Sequence, residues 1–341
     1  MAARSSNLPP AWATNALLAV VLVIAVAVMS TLSDTFLTAD NLLNATRFMT
    51  EIGLVALGMT LVMITGGIDL SVGAVIALTA VVVGLLIQAG IGAWPAALLG
   101  LCLGTLLGAL NGVVITRVGL PPIIITLATL AIYRGVAYGI SAARAFPIPD
   151  SLSVLGQGYL GPLPVQLPLF LIVAAVVWLV LARTTFGRTL YALGVNETAA
   201  RFAGLRADRV KLAAYAVSGL LSAAAAVIFI SRVSSAKANA GEGYELDAIT
   251  IVVLGGGSVA GGRGGVIGTL LGLAIIGVTR NGLTQAYIPP EVQAILIGAV
   301  LVAAVVGNEL FARWWANRRA PSRTTASPPP AVGGQARTAA G

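Results

Sequence analysis

Arg183–Lys211 reads RTTFGRTLYALGVNETAARFAGLRADRVK and is the only long hydrophilic island between two membrane-length apolar runs. The sequence on either side is hydrocarbon-loving, so this segment must sit in water. Its basic residues Arg183, Arg188, Arg201, Arg206, Arg209 and Lys211 place that water on the cytoplasmic side, where loops beside membrane helices collect Lys and Arg. The segment is thus expected to be a cytoplasmic loop (183–211) in the middle of a polytopic membrane protein.

Composition agrees. Hydrophobic residues make up 58% of the chain and charged residues 9%, against roughly 45–50% and 25% in an average soluble domain. At about 20 residues per spanning helix, 341 residues hold some ten spans and no separate soluble domain. The net charge of +8 flanks apolar helices instead of forming a stripe on one, which fits membrane orientation and speaks against a nucleic-acid partner. A single cysteine, Cys102, excludes an intramolecular disulfide. The absence of histidine weighs against metal ligation, histidine base catalysis and Ser-His triads, so neither a metal site nor a catalytic residue is expected.

Apolar runs bounded by Gly, Pro, Asn or charge number ten, at about 14–33, 46–65, 71–90, 94–115, 123–142, 166–182, 211–231, 246–260, 265–283 and 290–307. The first is read as a retained helix, not a cleaved signal peptide, because it is long enough to span. With residues 1–13 inside, the connections near Arg117, Arg183–Lys211 and Arg263 and the tail 311–341 are cytoplasmic, and 14 of the 20 Lys and Arg fall on that side. The membrane domain is 14–310. The tail, rich in Pro, Ser, Thr and Gly, is expected to be disordered. Ser33–Ala45, Ala143–Val165 and Arg232–Asp247 are expected to face outward, the second as an ordered Pro- and Gly-rich loop or re-entrant turn and not a helix. Gly104-Thr105-Leu106-Leu107-Gly108 recurs as Gly268-Thr269-Leu270-Leu271-Gly272, each followed downstream by Pro-Pro. That predicts an inverted repeat of helices 2–5 in helices 7–10, unless the echo is a coincidence of a Gly- and Leu-rich chain. The fold class is all-α.

Within the loop, Glu197–Gly204 has the form E-x-A-A-x-x-x-G. Ala199, Ala200, Ala203 and Gly204 give a short helix a face nearly without side chains, which another protein's backbone could approach. Asn196 is placed to cap it and Glu197 to favour its positive end. This segment resembles the cytoplasmic coupling helix (E-A-A-x-x-x-G) of the permease subunits of ATP-binding-cassette importers, with Thr198 inserted; an amphipathic linker helix is the plain alternative. A second string, Thr65-Gly66-Gly67-Ile68-Asp69-Leu70-Ser71-Val72-Gly73, is far more specific. It closely resembles the signature of the bacterial permeases that import ribose, xylose, arabinose, galactose, rhamnose or the furanosyl autoinducer. Asn111–Thr126 and Leu254–Gly272 extend the likeness over nearly everything from Asn41 to Val306. The resemblance implies a bacterial inner-membrane permease with cytoplasmic termini. Its implied partners are a second permease subunit (a copy or a sister), two cytoplasmic ATPase domains and an extracytoplasmic binding protein, with ATP-Mg held by the ATPase and no cofactor in this chain.

Gly255–Gly265 lacks the Gly-Lys-Ser/Thr ending of a phosphate-binding loop and reads as a tight turn between closely packed helices. Glu51, Asp69, Asn111, Arg134, Arg280, Asn281 and Gln293 are costly in lipid. Asp69, Asn111, Arg280, Asn281 and Gln293 are accordingly candidates for translocation or gating, though some could simply cap helix ends. The reading is an importer permease that moves a monosaccharide inward by alternating access. The alternatives are a sister permease for branched-chain amino acids or nucleosides, and an ion-coupled secondary transporter, which would need no docking loop.

Overall fold

The computed structural model describes residues 11–319. It is almost wholly helical: α1 (Ala11–Leu32), α2 (Ala39–Ile64), α3 (Val72–Gln88), α4 (Ala93–Val118), α5 (Pro122–Ser141), α6 (Asp150–Gln157), α7 (Gln166–Arg183), α8 (Thr185–Val195), α9 (Glu197–Phe202), α10 (Ala207–Val233), α11 (Tyr244–Leu254), α12 (Val266–Gln285) and α13 (Pro290–Arg319). The strands are two-residue pairings, β1 (Phe146–Pro147) with β4 (Ser235–Ala236) and β2 (Tyr159–Leu160) with β3 (Leu163–Pro164). Among the described residues, α1, α2, α4, α5, α7, α10 and α12 are long and apolar enough to cross a membrane. The protein is an all-α polytopic membrane protein.

The ten apolar runs each hold a helix, but not all are complete spans. The 11 residues of α11 extend about 16 Å at 1.5 Å per residue, half of a hydrocarbon core of about 30 Å. Its predecessor, Ser234–Gly243, expected as part of an outward connection, instead runs into the bundle with Ala236, Ala238 and Ala240 buried. The eighth span is therefore a broken one. The connection Ala143–Val165, expected as a loop and not a helix, contains α6 (Asp150–Gln157), and α13 runs from Pro290 through Arg319. Residues 1–10 and 320–341, which include most of the expected tail, lie outside the described residues.

α2 and α10 cross antiparallel at the centre, and the pattern around them repeats. α4 lies on α10 as α12 lies on α2; α3 touches α10 as α11 touches α2; α5 packs on α3 as α13 packs on α11. These are the pairings that exchange when helices 2–5 are swapped with helices 7–10. The repeated pentapeptide packs closely in both halves, though against different neighbours. A Cβ on Gly108 or Gly219 would strike backbone of the other's helix, and one on Gly268 or Gly272 would strike backbone of α11 or the residue after it. Glycines at both copies thus let the third helix of each half approach a neighbour at backbone distance, where van der Waals packing holds membrane helices together.

Two ends of the bundle matter for function. One carries α8, α9, the loop Thr65–Ser71 and the glycine-rich loop Gly255–Gly265. The other carries the α1–α2 connection, α6, and the turn from α12 into α13.

Candidate functional site

At the first end, Thr184 caps α8 by accepting from Gly187 N at 3.2 Å, and Asn196 caps α9 through Oδ1 to Ala199 N at 2.9 Å. The cap expected of Asn196 is present. Glu197 accepts from Arg201 at 2.9 Å and also pairs with Lys211 of α10, which staples α9 onto the start of α10. Partial burial pushes the Glu197 carboxyl up, but hydrogen bonds and charge from Lys211 and Arg201 outweigh it and hold it below the usual carboxylate value. The small-residue face needs a correction. Ala200 turns inward and packs with Leu193 and Ala207, because the i+4 spacing from Asn196 points it at α10. The other expected members of the face, Ala199, Ala203 and Gly204, are exposed, together with Val195, Thr198 and Phe202. Phe202 is 89% exposed, a bare aromatic at the tip of the loop.

The loop rests on a joint of bare backbone. Gly262 N donates to Ile64 O at 2.9 Å, linking the glycine-rich loop to the end of α2. Gly194 of α8 lies against both residues so closely that a Cβ there would overlap them. Tyr191 donates to Gly264 O at 2.8 Å from the same helix. Gly66, Gly261, Gly262 and Gly264 adopt positive φ, which only glycine takes without strain. The glycine-rich run is thus a close-packed turn, as its lack of a Gly-Lys-Ser/Thr ending implied.

Next to this joint the signature loop is a buried knot. Asp69, 1% exposed, accepts from Ser71 N at 3.1 Å, Ser71 Oγ at 2.6 Å and Ser218 Oγ at 2.9 Å. Asn111 donates to Ser71 Oγ at 2.8 Å, Tyr133 donates to Asn111 Oδ1 at 3.3 Å, and Thr126 donates to Ile68 O at 3.0 Å. Five helices, α2, α3, α4, α5 and α10, are pinned through one carboxylate. Gly67 and Gly73 have no room for a side chain, against Tyr215 and against Glu245 and Gly241 O respectively. Asp69 and Asn111, expected as pathway residues, come together here, packed among helices and away from any opening.

The other candidates meet at the opposite end. Arg280, Asn281 and Gln293 line a cavity of about 920 Å³ together with Asn41, Asn44, Phe48 and Gln285. Asn41 and Asn281 exchange amide hydrogen bonds at 2.8 and 2.9 Å, and Gln285 donates to Asn41 Oδ1. Arg280 makes a two-pronged pair with Asp247 at 2.8 and 3.0 Å, its guanidinium 5.5 Å from the centre of the Phe48 ring. Gln293 donates to Ile288 O at 2.9 Å and closes the turn into α13. The cavity is rich in neutral hydrogen-bonding groups, its one arginine is paired with Asp247, and Asp40 adds a carboxylate to its lining.

Three groups were missed from sequence. Asp247 is the partner of Arg280, and Arg232 with Tyr244 holds the fully buried Glu51, Arg232 at 2.6 and 3.1 Å and Tyr244 at 3.0 Å. The polar residues of Ser234–Gly243 were assigned to an outward loop. Their alternation with alanine, Ala236-Lys237-Ala238-Asn239-Ala240, matches an alternation of buried and exposed positions in the structure and was a signal of a half-buried segment. Among the described residues no cluster of His, Cys, Asp or Glu could hold a metal ion.

A family model described as branched-chain amino acid transport system / permease component matches residues 41–305. The ribose import permease protein RbsC of Bacillus subtilis is 42% identical over 290 residues, covering 84% of this chain and 89% of its own. RbsC of Escherichia coli K12 is 38% identical, covering 87% and 94%. The autoinducer 2 import system permease protein LsrD of Klebsiella pneumoniae is 38% identical, covering 87% and 91%. No solved structure matches the chain significantly.

Proposed function

The chain belongs to the branched-chain amino acid transport system / permease component family, among its monosaccharide and autoinducer-2 permeases, and we propose that it is the membrane subunit that carries a monosaccharide into the cytoplasm. The first end of the bundle is then cytoplasmic, with both termini, and the membrane is the bacterial inner membrane. Two permease subunits pair, two ATPase domains that bind ATP-Mg dock on the α8–α9 loops, and a binding protein delivers sugar at the other end. The permease itself performs no covalent chemistry.

One observation carries the mechanism: α8 is joined to the end of α2 and to the glycine-rich loop through backbone, at Gly194, Ile64 and Gly262. Side chains can swing to absorb a push, whereas backbone in contact with backbone cannot. A displacement of α9 by closing ATPase domains therefore reaches α2 through this joint, and the Asp69 knot passes it to α3, α4, α5 and α10. That is rigid-body coupling of the kind alternating access needs. Arg280, Asn281 and Gln293 stand in the outer cavity, where neutral amides suit a neutral sugar. Asp69 and Asn111 are assigned to transmission.

The test is ATP-dependent uptake in proteoliposomes holding the permease, its ATPase and its binding protein, with labelled pentoses, hexoses and leucine. Uptake of a pentose or hexose supports the reading. Uptake of leucine alone transfers the chain to the amino-acid branch, and uptake that collapses with a protonophore at constant ATP makes it an ion-coupled carrier.

A further inference from the structure

Ser234–Gly243 enters the bundle in non-helical form and follows α3 along most of its length. Ala236 packs over Gly84, Gly241 over Ile76, and Glu245 reaches Gly73, so the segment passes from near one end of α3 to the other. Eleven residues of α3 separate Gly84 from Gly73, about 16 Å of rise. Arg134, in the middle of α5, donates to the carbonyls of Ala238 at 2.9 Å and Ala240 at 2.8 Å and so fixes the segment at that depth. Its side chains alternate. Ala236, Ala238 and Ala240 are buried, while Lys237, Asn239 and Glu242 are exposed among the described residues. No salt bridge among the described residues includes Lys237 or Glu242, and Glu245 leaves a buried carboxylate oxygen without a partner.

Hydrocarbon does not accept such a face. Irregular backbone at membrane depth is tolerated only where it is buried in protein or lines a water-filled space, and bare charges there are costly. On the neighbouring helix α5, Gly135 and Gly139 are exposed, with nothing within 4 Å of a Cβ built on either.

We propose that the strip Lys237–Asn239–Glu242 lines the water-filled path, offers hydrogen-bond donors and acceptors to a neutral polyhydroxylated sugar, and is walled on its far side by a second copy of this chain. The proposal rests on the permease reading above and adds where the substrate runs. Two copies inserted the same way are related by an axis along the membrane normal, so Lys237 faces Lys237 and Glu242 faces Glu242 at matching depths. Like charges opposed in this way keep the gap open and hydrated instead of letting it seal as a dry interface. The strip presents an ammonium, an amide and a carboxylate in sequence, which matches a ligand with many hydroxyls and no net charge.

The test uses the full transporter in proteoliposomes, with this chain as its only permease and Cys102→Ala as background. Asn239→Cys, Glu242→Cys and, on exposed α4 surface, Leu106→Cys are each treated with a charged, membrane-impermeant methanethiosulfonate. Because the reactive thiolate forms in water, labelling at 239 and 242 is expected to be at least about tenfold faster than at 106. A bifunctional methanethiosulfonate should also join Asn239→Cys chains into covalent dimers. Rates at 239 and 242 no faster than at 106 overturn the proposal, as does fast labelling with no dimer. Lys237→Cys serves if either variant fails to insert. Labelling and cross-linking in a transporter that moves only leucine would leave the strip as the path but overturn its assignment to a sugar; ribose uptake with unreactive cysteines would leave the sugar permease standing and remove the strip from it.

Discussion

Replacing Gly194 by Ala tests whether the loop is joined to the bundle through backbone. Gly194 lies inside α8, where Gly→Ala in an unconstrained helix stabilises by roughly 0.5–1 kcal/mol. Here the added Cβ would stand 2.9 Å from Gly262 Cα and closer still to Ile64 O and Gly262 N, none of which can rotate away. The two surfaces must part by at least several tenths of an ångström. Overpacking of this kind costs about 1–3 kcal/mol, and stretching the 2.9 Å bond from Gly262 N to Ile64 O removes about 0.5–1.5 kcal/mol. Steric cost outweighs propensity, and Gly194→Ala should destabilise by about 1–3 kcal/mol. At about 2–4 °C per kcal/mol for a domain of a few hundred residues, the melting temperature in detergent falls by several degrees. In proteoliposomes the number of sugars moved per ATP should fall as well, since the loosened joint lets α9 move without α2. A variant that melts higher than wild type, or keeps its coupling ratio, refutes the backbone-joint argument.

Glu51→Ala leaves Arg232 and Tyr244 facing an unfilled acidic site in the core of the bundle, and should cost about 3–5 kcal/mol; thermal unfolding of Glu51→Ala and of Glu51→Gln measures it, with the Gln variant milder because it keeps a hydrogen bond to Tyr244. Glu197 is held below the usual carboxylate value by Lys211 and Arg201, so its contribution is present above about pH 4.3 and is lost as pH falls through its lower folded value. The group is more than a third exposed, so the contribution is small, about 0.2–1 kcal/mol, and the melting-temperature gap between wild type and Glu197→Gln should be open at pH 7 and close below about pH 4. Phe202→Ala should weaken ATPase association by about tenfold or more, as for a truncated aromatic anchor, while melting temperature stays within experimental error; unchanged affinity by sedimentation or pull-down titration would move the docking face elsewhere on the loop.

The ten apolar helices and the hydrophilic loop Arg183–Lys211 were legible in the sequence because both depend on the contrast between apolar runs and basic connections, which any side of a helix reports; the break in the eighth was not. Burial direction was not. Ala200 and Ala203 look alike in a string, yet one packs on Leu193 and the other faces solvent, since that choice is made by where α10 begins. Asp69 and Asn111 could be suspected together only as polar residues in apolar surroundings; that they meet at Ser71 depends on α4 crossing beside α3. Arg280 was visible, but its neutralisation by Asp247, 33 positions earlier, was not, because Asp247 had been assigned to a loop. The same misassignment hid Lys237, Asn239 and Glu242. An alternating Ala-polar segment has the hydropathy of a connection even when it lies at membrane depth.

That segment has an equivalent in the first half of the repeat, and the comparison explains why the two are built so differently. If α2 corresponds to α10 and α3 to α11, then Thr65–Ser71 corresponds to Ser234–Gly243: seven residues leading into a helix of 17, against ten leading into a helix of 11. Where α3 keeps its full length, the loop before it stays short, is knotted on Asp69 and can act as a stiff link to α8. Where α11 has lost six residues, the chain covers the missing depth in a short strand and a run of turns, leaving carbonyls for Arg134 to satisfy and side chains for water to reach. An unbroken α11 would bury those carbonyls in its own hydrogen bonds and leave nothing to hold Arg134. Shortening one helix of a duplicated pair therefore yields, from nearly the same arrangement of helices, a rigid joint at one end of the bundle and a hydrated polar strip within it.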